Sequence, residues 1–211
     1  LTIPEKSTPS ASDDGKVQMG KPINIYTNRN STAYTHNLIF SIGGTEVDRR
    51  ENVEGGKQWT PDENLASKTG NKLSVSCKVT CETYNGTLLV GTSATQIVLT
   101  VPDATVPSLS KTSIVLGEEI IIYTPRKADC YEHDISYTLK ASGSSTVALS
   151  KDFNGPIQES YKWTPSLSLL APAIPSATKG TITVTCTTRF KDSTTVIGTA
   201  SPVSFTVTIP D

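Results

Sequence analysis

The side chains with the most chemistry to offer in this 211-residue chain are two histidines, four cysteines and two tryptophans. His36 and His133 stand in corresponding stretches, Tyr34-Thr35-His36 and Tyr131-Glu132-His133. One histidine per stretch cannot build a metal site, which needs several His or Cys side chains converging on one point. Their phase with Leu38 and Ile135 points them inward, so a hydrogen-bonded structural role is expected for both. Cys77 and Cys81 lie four residues apart in a strand pattern, on one face but about 13 Å from each other, beyond disulfide reach. Cys81 and Cys186 occupy equivalent apolar positions and read as small buried hydrophobes. A Cys130–Cys186 bridge stays open beside the reading of free thiols in a reducing cytosol.

Trp59-Thr60-Pro61 recurs as Trp163-Thr164-Pro165. An exposed indole could stack on a sugar ring, which makes Trp59 and Trp163 the candidate glycan contacts. A tryptophan plugging one end of a small core is the favoured reading, because it supplies much of such a core's buried area. The acidic residues Asp13-Asp14, Asp62-Glu63 and Asp103 lack the alternating spacing of a calcium loop and read as solvated surface. The sequons at Asn30-Ser31-Thr32 and Asn85-Gly86-Thr87 matter only in a glycosylating host. No Ser-His-Asp order repeats, no glycine-rich phosphate loop is present, and no carboxylate pair stands in a recognisable setting. No catalytic residue, metal or cofactor is therefore expected, and a hydrolase is the least favoured function.

These residues must be positioned by a repeated element. Val17–Asn30 is replayed by Ile114–Lys127 at an offset of 97, so that Gly20, Ile25, Tyr26, Thr27 and Arg29 recur as Gly117, Ile122, Tyr123, Thr124 and Arg126. A seven-residue insertion then carries Trp59 onto Trp163, and Val79-Thr80-Cys81 later matches Val184-Thr185-Cys186. Length changes confined to the intervals between matched segments are what tandem copies of one fold produce. Within each copy the pattern alternates with period two: Tyr34, His36, Leu38, Phe40 and Ile42 share a face, as do Leu73, Val75, Cys77, Val79 and Cys81. About seven short strands per copy predict an all-β chain of two tandem immunoglobulin-like β-sandwich domains, without the Cys-Trp-Cys pattern of antibody domains. Asn85-Gly86 predicts a two-residue hairpin with positive φ.

The strand-Pro-acid phrase that closes both copies, Val101-Pro102-Asp103 and Ile209-Pro210-Asp211, also opens the chain as Ile3-Pro4-Glu5. Residues 1–12 are accordingly expected to be the tail of a preceding repeat and linker, 13–103 the first domain, 104–109 a linker stiffened by proline, and 110–211 the second domain, in an extended pair. With 19 basic against 20 acidic residues the net charge is −1, which gives no field to attract nucleic acid or an anionic membrane. No apolar run approaches the roughly 20 residues of a membrane span.

The stretches Tyr26–Gly44 and Trp163–Thr188 carry a resemblance. Tyr-Thr-His, Trp-Thr-Pro, an Ala-Pro-x-Ile-Pro stretch and a Thr-Cys-Thr-Thr strand running to Ile-Gly-Thr together resemble repeats in tail, fibre and other minor structural proteins of tailed phages infecting Gram-positive bacteria. The first copy keeps Tyr34-Thr35-His36 without the proline-rich stretch after Trp59; the second reads Tyr131-Glu132-His133 and keeps Ala171-Pro172-Ala173-Ile174-Pro175. The resemblance implies a virion component made in the bacterial cytoplasm and acting outside the cell, with other virion proteins or further repeats of the same chain as partners. The expected function is a non-enzymatic structural spacer of a phage tail, baseplate or fibre. The alternative is a carbohydrate-binding or adhesion module that attaches a phage or bacterial surface protein to host cell-surface polysaccharide.

Overall fold

Period-two alternation becomes strand in the computed structural model, which describes residues 5–210. The chain divides into two units, residues 1–102 and 103–211. In the first unit β1 (Ser10–Ala11), β2 (Lys16–Gln18), β3 (Ile23–Tyr26), β4 (Tyr34–Ile42), β5 (Thr45–Val53), β6 (Gly56–Trp59), β7 (Ser74–Asn85) and β8 (Leu88–Thr100) form two sheets, ordered β1-β3-β6 and β2-β8-β7-β4-β5. All neighbouring strands are antiparallel except β2 and β8, which run parallel. β4 buries Tyr34, His36, Leu38, Phe40 and Ile42, each alternating with a partly exposed residue. β5, at the rim of its sheet, is rich in charge and loses register with β4 twice, between His36 and Leu38 and between Phe40 and Ser41.

The second unit repeats this plan with β9 (Ser108–Leu109), β10 (Ser113–Val115), β11 (Ile120–Tyr123), β12 (Tyr131–Ala141), β13 (Leu149–Asp152), β14 (Ser160–Trp163), β15 (Lys179–Phe190), β16 (Val196–Thr199) and β17 (Val203–Thr208). Its sheets are ordered β14-β11-β9 and β10-β17-β15-β12-β13, with β16 also on β15. The long β8 of the first unit is thus replaced by β16 and β17. Ile120, Ile122, Leu139, Ile182, Val184 and Val207 fill the core at no exposure, at roughly 1.5–3 kcal/mol for each fully buried large apolar side chain. The proline-rich stretch adds a single helical turn, Leu167–Leu170, that lowers Leu170 and then Ile174 onto this core. Each unit is an immunoglobulin-like β-sandwich.

Four local expectations shift. Residues 104–109, expected as linker, are built into the second unit: Thr105 is buried, its N–H donates to Thr188 Oγ1 at 3.0 Å and its hydroxyl to the Pro125 carbonyl at 2.7 Å, and Ser108–Leu109 pairs with β11. Residues 5–12 do the same in the first unit, where buried Ser7 donates its N–H to Thr83 Oγ1 at 3.1 Å and Ser10–Ala11 pairs with β3. Pro102 follows the end of β8, and Thr105, three positions on, gives the segment a buried polar anchor, so it packs where free linker was expected; Ser7 anchors residues 5–12 in the same way. The opening Leu1–Pro4 lies outside the described residues. Leu73 is exposed and precedes β7, so that strand's buried row starts only at Cys77. The β7–β8 hairpin turns one residue later than expected: Asn85 pairs with Leu88, and the loop is Gly86–Thr87 with φ +60° at Gly86.

Candidate functional site

The two tryptophans end equivalent strands and meet different surroundings. Trp59 is 1% exposed, stacked on Phe40 at 3.9 Å between ring centroids, and its indole N–H donates to Asp48 Oδ2 at 2.7 Å. No face is left for a ligand, so the glycan contact considered for Trp59 is excluded in the folded unit. Trp163 is half-buried against Tyr137, Phe153 and Phe205, at 4.7, 4.9 and 6.1 Å. The proline carbonyl after each tryptophan accepts a backbone bond from the recurring glycine, Gly20 to Pro61 at 2.8 Å and Gly117 to Pro165 at 3.2 Å. These glycines hold φ of +85° and +97°, which explains their recurrence.

The histidines differ more than their sequence setting suggests. His36 is fully buried with both ring nitrogens engaged: Nδ1 lies 2.9 Å from the Val53 carbonyl and Nε2 2.8 Å from Ser7 Oγ. A carbonyl only accepts, so Nδ1 is the protonated nitrogen and Nε2 accepts the serine hydroxyl. His133 meets Thr188 Oγ1 at 3.1 Å through Nδ1, while among the described residues its Nε2 and the buried Thr124 Oγ1 have no side-chain hydrogen bond of good geometry. The cause lies in the neighbours. β5 reaches back to place a carbonyl beside His36, whereas β13 is short and the backbone opposite His133 is Ile157. Thr105, at the position of Ser7, donates its hydroxyl to the Pro125 carbonyl. Burial pushes the His133 pKa down from its ordinary value, against a smaller upward pull from Glu159.

All four cysteines are free thiols, so Cys130 and Cys186 form no bridge. Burial pushes Cys77, Cys81 and Cys186 up to about 11, which keeps them protonated and unreactive at neutral pH. Among the described residues no three His, Cys, Asp or Glu side chains come together as a metal site.

The polar concentration that the sequence reading missed is on the outer face of β12 and β15. Arg189 donates from Nε to Asp134 Oδ2 at 2.8 Å, and from Nη1 to Glu132 Oε1 and to the Ser193 carbonyl, the latter at 3.0 Å. Glu132 is 3% exposed and also accepts the Asp192 N–H at 3.0 Å. The bond to Asp134 is the largest influence raising the Arg189 pKa. Two open grooves of about 520 and 460 Å³ share Asp134 and Arg189, the larger also lined by Asp152, Phe153, Pro156 and Thr187. The arrangement ties loop 191–195 to the strand pair and leaves a rim of polar and apolar groups. Its signal was acids at alternate positions, Glu132 and Asp134, but their match to Arg189 needs the register of β12 against β15. In the first unit Asn37, Glu82 and Tyr84 stand on the corresponding face, joined through Glu82 Oε2.

A comparison with curated protein sequences returns no match. Among solved structures the chain is similar to the chicken interferon gamma receptor alpha chain, at 13% identity and TM-score 0.47, over 97% of this chain and 98% of that one. It is likewise similar to a two-domain fibronectin type III segment of chicken tenascin, at 11% identity and TM-score 0.46, over 96% and 98%. A family model described as a siphovirus protein of unknown function matches residues 1–115, the whole first unit and the start of the second. The chain belongs to that siphovirus family, DUF859.

Proposed function

We propose that this chain is a non-enzymatic structural spacer of a siphovirus virion, in its tail, baseplate or fibre, synthesised in the bacterial cytoplasm and working outside the cell. The observation that carries the reading is how the two copies use their recurring residues. His36 and His133, Cys81 and Cys186, and Thr83 and Thr188 are all buried, Trp59 stacks on Phe40, and Trp163 packs against Tyr137, Phe153 and Phe205. Apart from the exposed pair Tyr26 and Tyr123, these recurring side chains build the interior of a module, which fits selection for a repeated part. Other virion proteins, or further modules of the same kind, are its partners in this reading. The test is labelling of purified virions with antibody against the two units: signal on the tail or its tip supports the spacer, and absence of the protein from intact particles refutes it.

One observation favours carbohydrate binding as a second reading. Half-buried Trp163 and Phe153, and the groove bearing Asp134, Asp152 and Arg189, put apolar and planar polar groups in the same unit. An array of host cell-wall glycans decides it. Capture that is lost in Asp152→Ala, with the fold intact, supports recognition; no capture by the wild-type chain leaves the spacer alone.

A further inference from the structure

Parallel pairing occurs at one place in each unit, and it is the same place. Lys16–Gln18 lies against Val98–Thr100, and Ser113–Val115 against Thr206–Thr208. Each pair joins a strand near the start of its unit to the strand that ends it. The ladder continues one bond further in both, from the Met19 N–H to the Thr100 carbonyl at 2.8 Å and from the Leu116 N–H to the Thr208 carbonyl at 2.9 Å. In the second unit it also continues in the other direction, from the Thr206 N–H to the Thr112 carbonyl at 3.0 Å.

The direction of these strands fixes how tension reaches them. Tension along the chain pulls the start of β2 backward and the end of β8 forward, so the two slide past each other along their common axis. In that geometry every bond of the ladder is loaded at once, whereas strands pulled apart from one shared end lose their bonds one at a time. Sliding also drags Val17 and Met19 past Leu99, or Ile114 and Leu116 past Val207, and all six side chains are at most 8% exposed. The first unit has further ties across the pair, from Gln18 Nε2 to the Val101 carbonyl at 3.3 Å and from Thr100 Oγ1 to the Val17 carbonyl at 3.4 Å.

We infer that β2 with β8, and β10 with β17, are shear clamps that let each unit resist tension carried along the chain. The inference rests on the spacer reading for its purpose, since a spacer between a particle and a surface is pulled lengthwise.

The experiment holds the full chain at constant load and compares two pairs of attachment points that span β2 and β8, the second point of each pair lying at position 103, where the second unit begins. Click-reactive side chains at exposed positions 16 and 103 load the clamp in shear. The same chemistry at 21 and 103 pulls from the shared end of β2 and β8 and peels it. Unfolding under load follows the unfolding rate, and two further ladder bonds breaking together, at about fivefold each, predict a lifetime about twenty-five-fold longer in shear. Matching urea stability of both labelled chains shows that labelling left the fold intact. Equal lifetimes, or a longer lifetime in the peeling geometry, overturn the clamp. That outcome would leave the spacer reading standing, because virion labelling tests the latter separately.

Discussion

Replacing Asp48 with alanine removes the acceptor that holds Trp59. The carboxylate accepts the indole N–H at 2.7 Å and pairs with Arg50 Nη2 at 2.8 Å. Trp59 is buried, so its N–H finds no substitute partner, and an orphaned donor costs about 1–3 kcal/mol. The Arg50 pair is over a quarter exposed on both sides and adds less than about 1 kcal/mol. The expected loss is about 2 kcal/mol, or about 10 °C in the melting temperature of a unit of this size. Asp48→Asn keeps an oxygen for the indole while giving up the charge, so its cost should stay below about 1 kcal/mol. Each unit contains one tryptophan, so urea unfolding followed by fluorescence resolves the first unit through Trp59 and the second through Trp163. The transition reported by Trp163 should not move. Equal losses for the alanine and asparagine variants would mean that the Arg50 pair, not the indole bond, carries the effect; a loss below about 0.5 kcal/mol for both would mean that stacking on Phe40 alone seats Trp59.

Three further outcomes are expected. Because burial lowers the folded-state pKa of His133, the unfolded chain binds more protons as pH falls below about 6.5, so the second unit should lose stability progressively below that pH and keep it above; calorimetry between pH 7 and 5 that finds a flat second transition would contradict this. Gly117→Ala should cost about 1–2 kcal/mol from its positive φ alone, since nothing lies within 4 Å of the new Cβ. Gly20→Ala should cost more, because its Cβ would sit 2.7 Å from Glu63 Oε1, and the excess should disappear in the double variant with Glu63→Ala.

The core rows of β4 and β12 were legible because alternation with period two leaves one solution for which side chains face inward. The duplication was legible for a similar reason: glycine, proline and tryptophan at fixed offsets mark turns and plugs that a fold cannot easily shift. What escaped the sequence were properties of register and length. Ser7 and Thr105 look like linker residues until their contacts with Thr83 and Thr188 are known, across 76 and 83 residues of chain. The difference between His36 and His133 depends on how far β5 and β13 run, and strand ends are weakly encoded. Arg189 stands beside Lys191 and Asp192 in the sequence, and its tie to Glu132 and Asp134 emerges only when β12 and β15 are aligned.

The interrupted, charged β5 has a consequence for contact between copies of the chain. A smooth outer strand of nine residues would offer its free amides and carbonyls to any neighbour, and crowded copies would fuse into aggregates. Glu46, Asp48, Arg49, Arg50 and Glu51, with the two breaks in pairing and the left-handed φ of +56° at Asn52, make that strand a poor template for another chain. The first unit can thereby stay dispersed without a separate cap over this edge of its sheet.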